Sequence, residues 1–184
     1  MQRAYSLIRE RIITLELAPG SPIDPPRLAE DLGMAPAPVQ EALQLLAHDG
    51  LVQIDPQYGV HVSNVHLADL EQLSKMRLLL EPYSARLAAQ NATAEDLVVL
   101  KSLRQEYTET PPQDNRRLLD LDHKFHQAIA QAAGNKYLAH TLDRLFVLSQ
   151  RLWFLALPDL DLLPASVEDH VRLVEAIEAQ DADR

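Results

Sequence analysis

LAEDLGMAPAPVQEALQLLAHDGLVQIDPQYGVHVS, residues 28–63, sets out one structural unit in order. Leu28, Ala29 and Leu32 give a short helix its inner face; Asp24 stands where an N-cap belongs and Pro25 and Pro26 are pre-set for a first turn. Gly33 ends that helix. The next one starts near Pro38, burying Val39, Ala42, Leu43 and Leu46 and leaving Gln40, Glu41, Gln44 and His48 outside. Leu51 to Ile54 and Val60 to Val62 then alternate as short strands around a turn made of Asp55, Pro56, Gln57, Tyr58 and Gly59. Helix, turn, helix and hairpin together predict a winged helix-turn-helix, a unit that lays its second helix in the major groove of duplex DNA.

Upstream, Tyr5, Ile8, Ile12 and Leu15 recur at helical spacing until Ala18, Pro19 and Gly20 stop the helix. From about Asn64 onward the pattern is helical throughout, with no internal repeat and no low-complexity tract. Five helices are expected: Leu67 to Gln90, kinked at Pro82; Ala94 to Thr108, with Thr93 and Asp96 as a capping box; Asn115 to Ala133, closed by Gly134; one capped by Asn135 and ending before Pro158; and a last one opened by Ser166 with Asp169. Glu109 to Asp114, with Pro111 and Pro112, reads as a loop. The fold class is therefore mainly α: a winged helix-turn-helix with a small β-hairpin wing over 1–64, then an all-helical antiparallel bundle over 65–184.

Charge argues against a generic nucleic-acid or anionic-membrane binder. The chain of 184 residues carries a formal net charge of −10. Residues 1–64 hold four basic residues, Arg3, Arg9, Arg11 and Arg27, against eight acidic ones, the reverse of what a DNA-binding surface normally shows. No run reaches the roughly 18 apolar residues of a membrane span, and the N-terminus lacks the apolar core of a signal peptide. With no cysteine there is no disulfide framework or thiolate site, so a cytoplasmic protein is expected.

Ligand chemistry gathers in the helical part. Asp122 and His126, four residues apart, share a helix face with Leu118, Phe125, Ile129 and Ala133. His170 sits among Val167, Val171, Val174 and Ile177 on what should be a buried side. A carboxylate and two imidazoles pointing inward suit a divalent transition metal such as zinc, nickel, manganese or iron. Core histidines satisfied by backbone carbonyls are the plain alternative, weakened because burying three unpartnered polar groups is costly. Arg77 is equally out of place on the stripe of Leu70, Leu73, Leu80 and Ser84, where it wants either Glu81 one turn away or the carboxylate of a bound effector. His123, Tyr137, Phe146 and Trp153 either line a pocket or are plain core. No Gly-flanked serine elbow, Gly-rich phosphate loop or paired-carboxylate pattern is present, and no enzyme is expected.

Several of these runs together resemble a known family. Leu28 to Gly33, Pro38-Val39-Gln40-Glu41-Ala42-Leu43-Gln44-Leu45-Leu46, Gly50-Leu51-Val52 and Gly59-Val60-His61-Val62 resemble the N-terminal domain of GntR-type bacterial transcriptional regulators. The second half resembles the FCD-type helical effector domain of the FadR-like branch through Arg77 with Glu81, Leu87-Ala88-Ala89, Ala92 to Leu97, Asp122 to His126 and Ala133-Gly134-Asn135. The resemblance implies a homodimeric, ligand-responsive regulator of a duplex DNA operator. Its helical domain would bind a small carboxylate effector, often through a metal, with Asp122, His126 and His170 as ligands and Arg77, Glu81 and His123 on the effector side. The fourth ligand of that family would lie beyond Arg184, so either the final helix is incomplete or water or substrate completes the site.

The DNA-reading helix departs from the family. Ala35-Pro36-Ala37-Pro38-Val39-Gln40 stands where the family usually has Ser-Arg-Thr-Pro-Val-Arg, so two arginines and a hydroxyl cap are lost. The expected DNA-facing set is Arg27, Pro38, Gln40, Gln44, Tyr58, Gly59 and His61, with Gln40 and Gln44 suited to adenine edges and Tyr58 and His61 to the backbone. Two rivals remain: a sensor acting through a protein partner without DNA, and a helical metalloenzyme using open positions at the metal.

Overall fold

The computed structural model describes residues 1–156 and 166–183. It divides into two compact units, Met1–Leu70 with Val147–Leu155, and Glu71–Phe146 with Ala156–Arg184.

The first unit holds α1 (Gln2–Ile13), β1 (Pro22–Ile23), α2 (Pro25–Asp31), α3 (Pro36–His48), β2 (Val52–Asp55) and β3 (Gly59–Val62). Ala4, Ile8, Ile12 and Ile13 bury one face of α1. That helix is shorter than its apolar spacing predicts. Leu15 lies outside it with φ of 62°, because the chain must turn before Pro19 and a helix cannot contain that conformation. Asp24 caps α2 as expected, its carboxylate accepting from the Arg27 backbone at 3.2 Å. Gly33 leaves α2 with φ of 62°, where a side chain would be strained.

Helix α3 starts two residues before the expected Pro38. Pro36 takes a first-turn position, where a missing N–H costs nothing. Its N-cap, Ala35, offers no side-chain hydrogen bond. Val39, Ala42, Leu43 and Leu46 are buried, while Gln40, Glu41, Gln44 and His48 are exposed. Strands β2 and β3 pair antiparallel with Val52 opposite Val62 and Asp55 opposite Gly59. The sheet has a third strand that hydrophobic alternation could not reveal: two-residue β1 pairs with β3, placing Pro22 opposite His61. Val147 joins the core of this unit, and the buried Arg151 donates to the Ser63 carbonyl at 2.5 Å.

The second unit is all helical. It contains α4 (Leu67–Asn91) from Glu71 on, α5 (Ala94–Glu109), α6 (Asn115–Ala132), α7 (Lys136–Ala156) up to Phe146, and α8 (Ser166–Glu178). α4 runs through Pro82. Thr93 and Asp96 form the capping box of α5. Asp114 caps α6, and Asn135 caps α7 by accepting from the Tyr137 and Leu138 backbones at 3.2 Å each. Ala88, Ala89, Leu100, Phe125, Ile129, Val174 and Ile177 form the main core. Tyr137 belongs to neither pocket nor core: it is 75% exposed, its position in the first turn of α7 turning it outward. Pro158 lies outside the described residues, and the Ser166 cap and the inner-face role of Val167 rest on side chains outside the description. Among the described residues, no helix is long and apolar enough to cross a membrane.

Candidate metal and effector centre

Packing of α6 against its neighbours buries Leu118, Leu121, Phe125 and Ile129, which carries Asp122 and His126 to the edge of that buried stripe. α8 brings His170 to the same place, 4% exposed. One donor atom from each of Asp122, His126 and His170 falls within 4.8 Å of the others. Asp122 Oδ1 is 3.2 Å from His170 Nε2 and 3.7 Å from His126 Nε2. The three side chains predicted to converge therefore do so.

Their electrostatics follow from burial and proximity. Burial pushes the Asp122 carboxyl up, but the His170 hydrogen bond and the fields of His126, His170 and Arg77 outweigh it and hold Asp122 below the ordinary carboxylate range. Burial also depresses His126, against the opposing pull of Asp122 and Glu81, so its imidazole stays neutral near pH 7. An ionised carboxylate beside a neutral imidazole is the protonation state a metal requires. The donor set, one hard oxygen and two borderline nitrogens, fits a divalent transition metal with open positions. His170 Nδ1 is buried without a hydrogen-bond partner. Packing positions that ring instead: Phe125 lies 4.2 Å away and Tyr107 meets it edge-on at 4.9 Å, centroid to centroid.

Arg77 takes the internal partner. Its Nε donates to Glu81 Oε1 at 2.5 Å, and its guanidinium lies 4.3 Å over the Phe146 ring. His123 stacks on Phe146 with centroids 4.8 Å apart, and its Nε2 is 2.9 Å from Asp143 Oδ1. Gln127 donates to the same oxygen at 3.2 Å. A cavity of about 250 Å³ opens beside the cluster, sharing His126 with it and lined also by Glu81. Phe146 lines this cavity, whereas Trp153 falls in the first unit. Asp143 and Gln127 line it too and were not singled out in the sequence, and so does Ser84, which was read only as part of the stripe carrying Arg77. One signal was available for Asp143, since it lies one turn before Phe146, but α7 alone does not say which helix that face meets.

In the first unit, the residues expected to face DNA are exposed or half-buried. Arg27, Gln40, Gln44 and Gly59 are exposed and Tyr58 is 76% exposed, while Pro38 and His61 are half-buried. The wing turn is held by Asp55 Oδ1, which accepts from the Gln57 and Tyr58 backbones at 2.7 and 2.9 Å.

Comparison with known proteins bears on both units. Residues 1–62 match the family model described as bacterial regulatory proteins, gntR family, and residues 72–184 match that of the FCD domain. The HTH-type transcriptional repressor RspR of Escherichia coli (strain K12) is 26% identical over 183 residues, covering 99% of this chain and 80% of that protein. The uncharacterized HTH-type transcriptional regulator YdhC of Bacillus subtilis (strain 168) is 26% identical over 141 residues, covering 76% of this chain and 63% of that protein. The chain thus spans less than two thirds of one of these relatives. The solved structure of E. coli McbR/YncC superposes with a TM-score of 0.83 at 23% identity, covering 99% of this chain and 87% of that one, which establishes the shared fold.

Proposed function

Given that this chain belongs to the GntR family of bacterial regulatory proteins, with an FCD domain behind its winged helix, we propose that it is a homodimeric transcriptional regulator whose operator binding responds to a small carboxylate. The observation that carries the sensing half of this reading is the convergence of Asp122, His126 and His170 from two helices, beside a cavity that shares His126. A divalent transition metal held by these three would supply a Lewis-acidic seat for a carboxylate. The chain's own residues do the remainder. The ionised Asp122 and neutral His126 keep the donors available without competing protons, and Arg77 braces Glu81 and Phe146 at the cavity wall. Occupancy would favour one packing of the helical domain and hence one spacing of the two DNA-reading heads in a dimer.

The metalloenzyme rival lapses, because the matched family and its relatives are transcriptional regulators. The sensor acting through a protein partner keeps one observation in its favour: residues 1–64 carry four basic side chains against eight acidic ones. Fluorescence polarisation on duplexes from upstream of its own gene separates the two. A sequence-preferring complex that weakens as salt rises supports the regulator; no such complex with or without added zinc, together with a stable protein partner, supports the rival.

A further inference from the structure

The cavity beside the three-residue cluster has a wall that discriminates among acids, a property that presupposes the sensing role proposed for that cluster. Most of the wall is apolar, with Leu78, Pro82, Ile129, Leu142, Phe146 and Leu173 among its residues. Its charged members are both acidic, Glu81 and Asp143, and among the described lining residues there is no lysine or arginine. Arg77 is not itself a lining residue: its Nε donates to Glu81 and its guanidinium lies over the Phe146 ring. A ligand with two or three carboxylates would set its extra charges against Glu81 and Asp143 with no lysine or arginine among the described lining residues to receive them, a costly arrangement away from water. One carboxylate seated on a metal at the His126 side would have that ion's charge to offset Glu81, whose Oε2 lies 3.8 Å from His126 Nδ1.

A second observation specifies more. Ser84 is 1% exposed, lies on the cavity wall, and its Oγ has no hydrogen-bond partner. A helical serine commonly satisfies its hydroxyl on the carbonyl one turn back. Here that bond is not made, so a buried donor and acceptor stands open beside the cavity. An apolar cavity of ~150 Å³ accepts benzene; one of about 250 Å³ has room for a single ring or a short chain with a substituent.

We propose that this cavity takes a monocarboxylic acid with an apolar body bearing one hydrogen-bonding substituent, which Ser84 receives, and that it rejects di- and tricarboxylates. Isothermal titration calorimetry on the full chain loaded with one equivalent of zinc tests this directly. The probes are 4-hydroxybenzoate and 3-hydroxyoctanoate, their parents benzoate and octanoate, and the dicarboxylates succinate and malate. At least one hydroxylated monoacid should bind about tenfold tighter than either dicarboxylate, and about fivefold tighter than its own parent, the size of one net neutral hydrogen bond. Ser84→Ala should erase the second preference and leave parent-acid affinity unchanged. Dicarboxylates binding as tightly as the monoacids would overturn the proposal, and so would a hydroxyl preference that survives Ser84→Ala. If no acid of any kind binds, the sensing role falls with it, whereas operator binding is judged independently by its own assay.

Discussion

Asp122 and His170 meet side chain to side chain from different helices, Oδ1 to Nε2 at 3.2 Å, with the imidazole almost wholly buried. Burial works against the charge of Asp122, and the His170 contact is the first of the influences that oppose it, ahead of His126 and Arg77.

Metal affinity should depend on that pairing. Losing even an outer partner of a metal ligand costs about 10–100-fold in affinity, so Asp122→Ala and His170→Ala should each lose more than that for zinc in a competitive chelator titration. Asp120→Ala, on the same helix but paired with Arg117 and Lys124, should leave affinity unchanged.

DNA affinity should rise when the missing cations are restored. Pro36 and Gln40 are exposed on α3, so Pro36→Arg with Gln40→Arg adds charge without disturbing the core. If both reach phosphate, the slope of log K against log salt should steepen by about 2. An unchanged slope in a polarisation titration from low to moderate salt would mean that this helix does not approach the duplex.

Helix α3 begins at a residue with nothing to cap it. Ala35→Ser gives its first turn an acceptor and should stabilise the protein by about 1 kcal/mol, read as an increased urea midpoint with the slope unchanged. The gain should vanish in Ala35→Val, whose side chain cannot accept.

The wing should loosen only in strong acid. Hydrogen bonds from the Tyr58 and then the Gln57 backbone hold the Asp55 carboxyl below the ordinary range. A folded-state value lower than the unfolded one means that the contribution is complete above the ordinary carboxylate range and is lost as pH falls through the lowered value. The amide NMR shifts of Gln57 and Tyr58 should titrate together, with a midpoint below that of a free aspartate. Asp55→Ala should abolish the transition.

Among the described residues Arg151 is the largest fully buried side chain, and it carries a charge into the first unit's core. Burial lowers its pKa to about 10, which still leaves it charged at neutral pH, and it serves the Ser63 carbonyl. Arg151→Ala removes that donor and opens a cavity, so it should cost about 2–4 kcal/mol in chemical denaturation. Arg151→Met keeps the apolar stem and should cost less.

What could be read along the chain was whatever a residue's near neighbours decide. Caps such as Asp24, Thr93 with Asp96, and Asn135 act within one turn, and the stripes of α3 and α6 repeat at the helical period, so these elements, their buried faces and the inward aim of Asp122 and His126 were legible. The family could be recognised because its motifs are local runs of the same kind. Partnerships between distant segments were not legible. Strand β1 is too short to show alternation and exists only because β3 offers it an edge. That Arg77 would lie over Phe146, which residue would receive His123, and that Arg151 would be buried against Ser63 rather than solvated all depended on how distant segments pack across one another, whereas the Arg77–Glu81 pair, one turn apart on α4, was legible in the sequence. Periodicity states that a face is buried; the contacts between elements choose what it is buried against, and the chemistry of the cavity, with Arg77 engaged and Ser84 open, is set at that level.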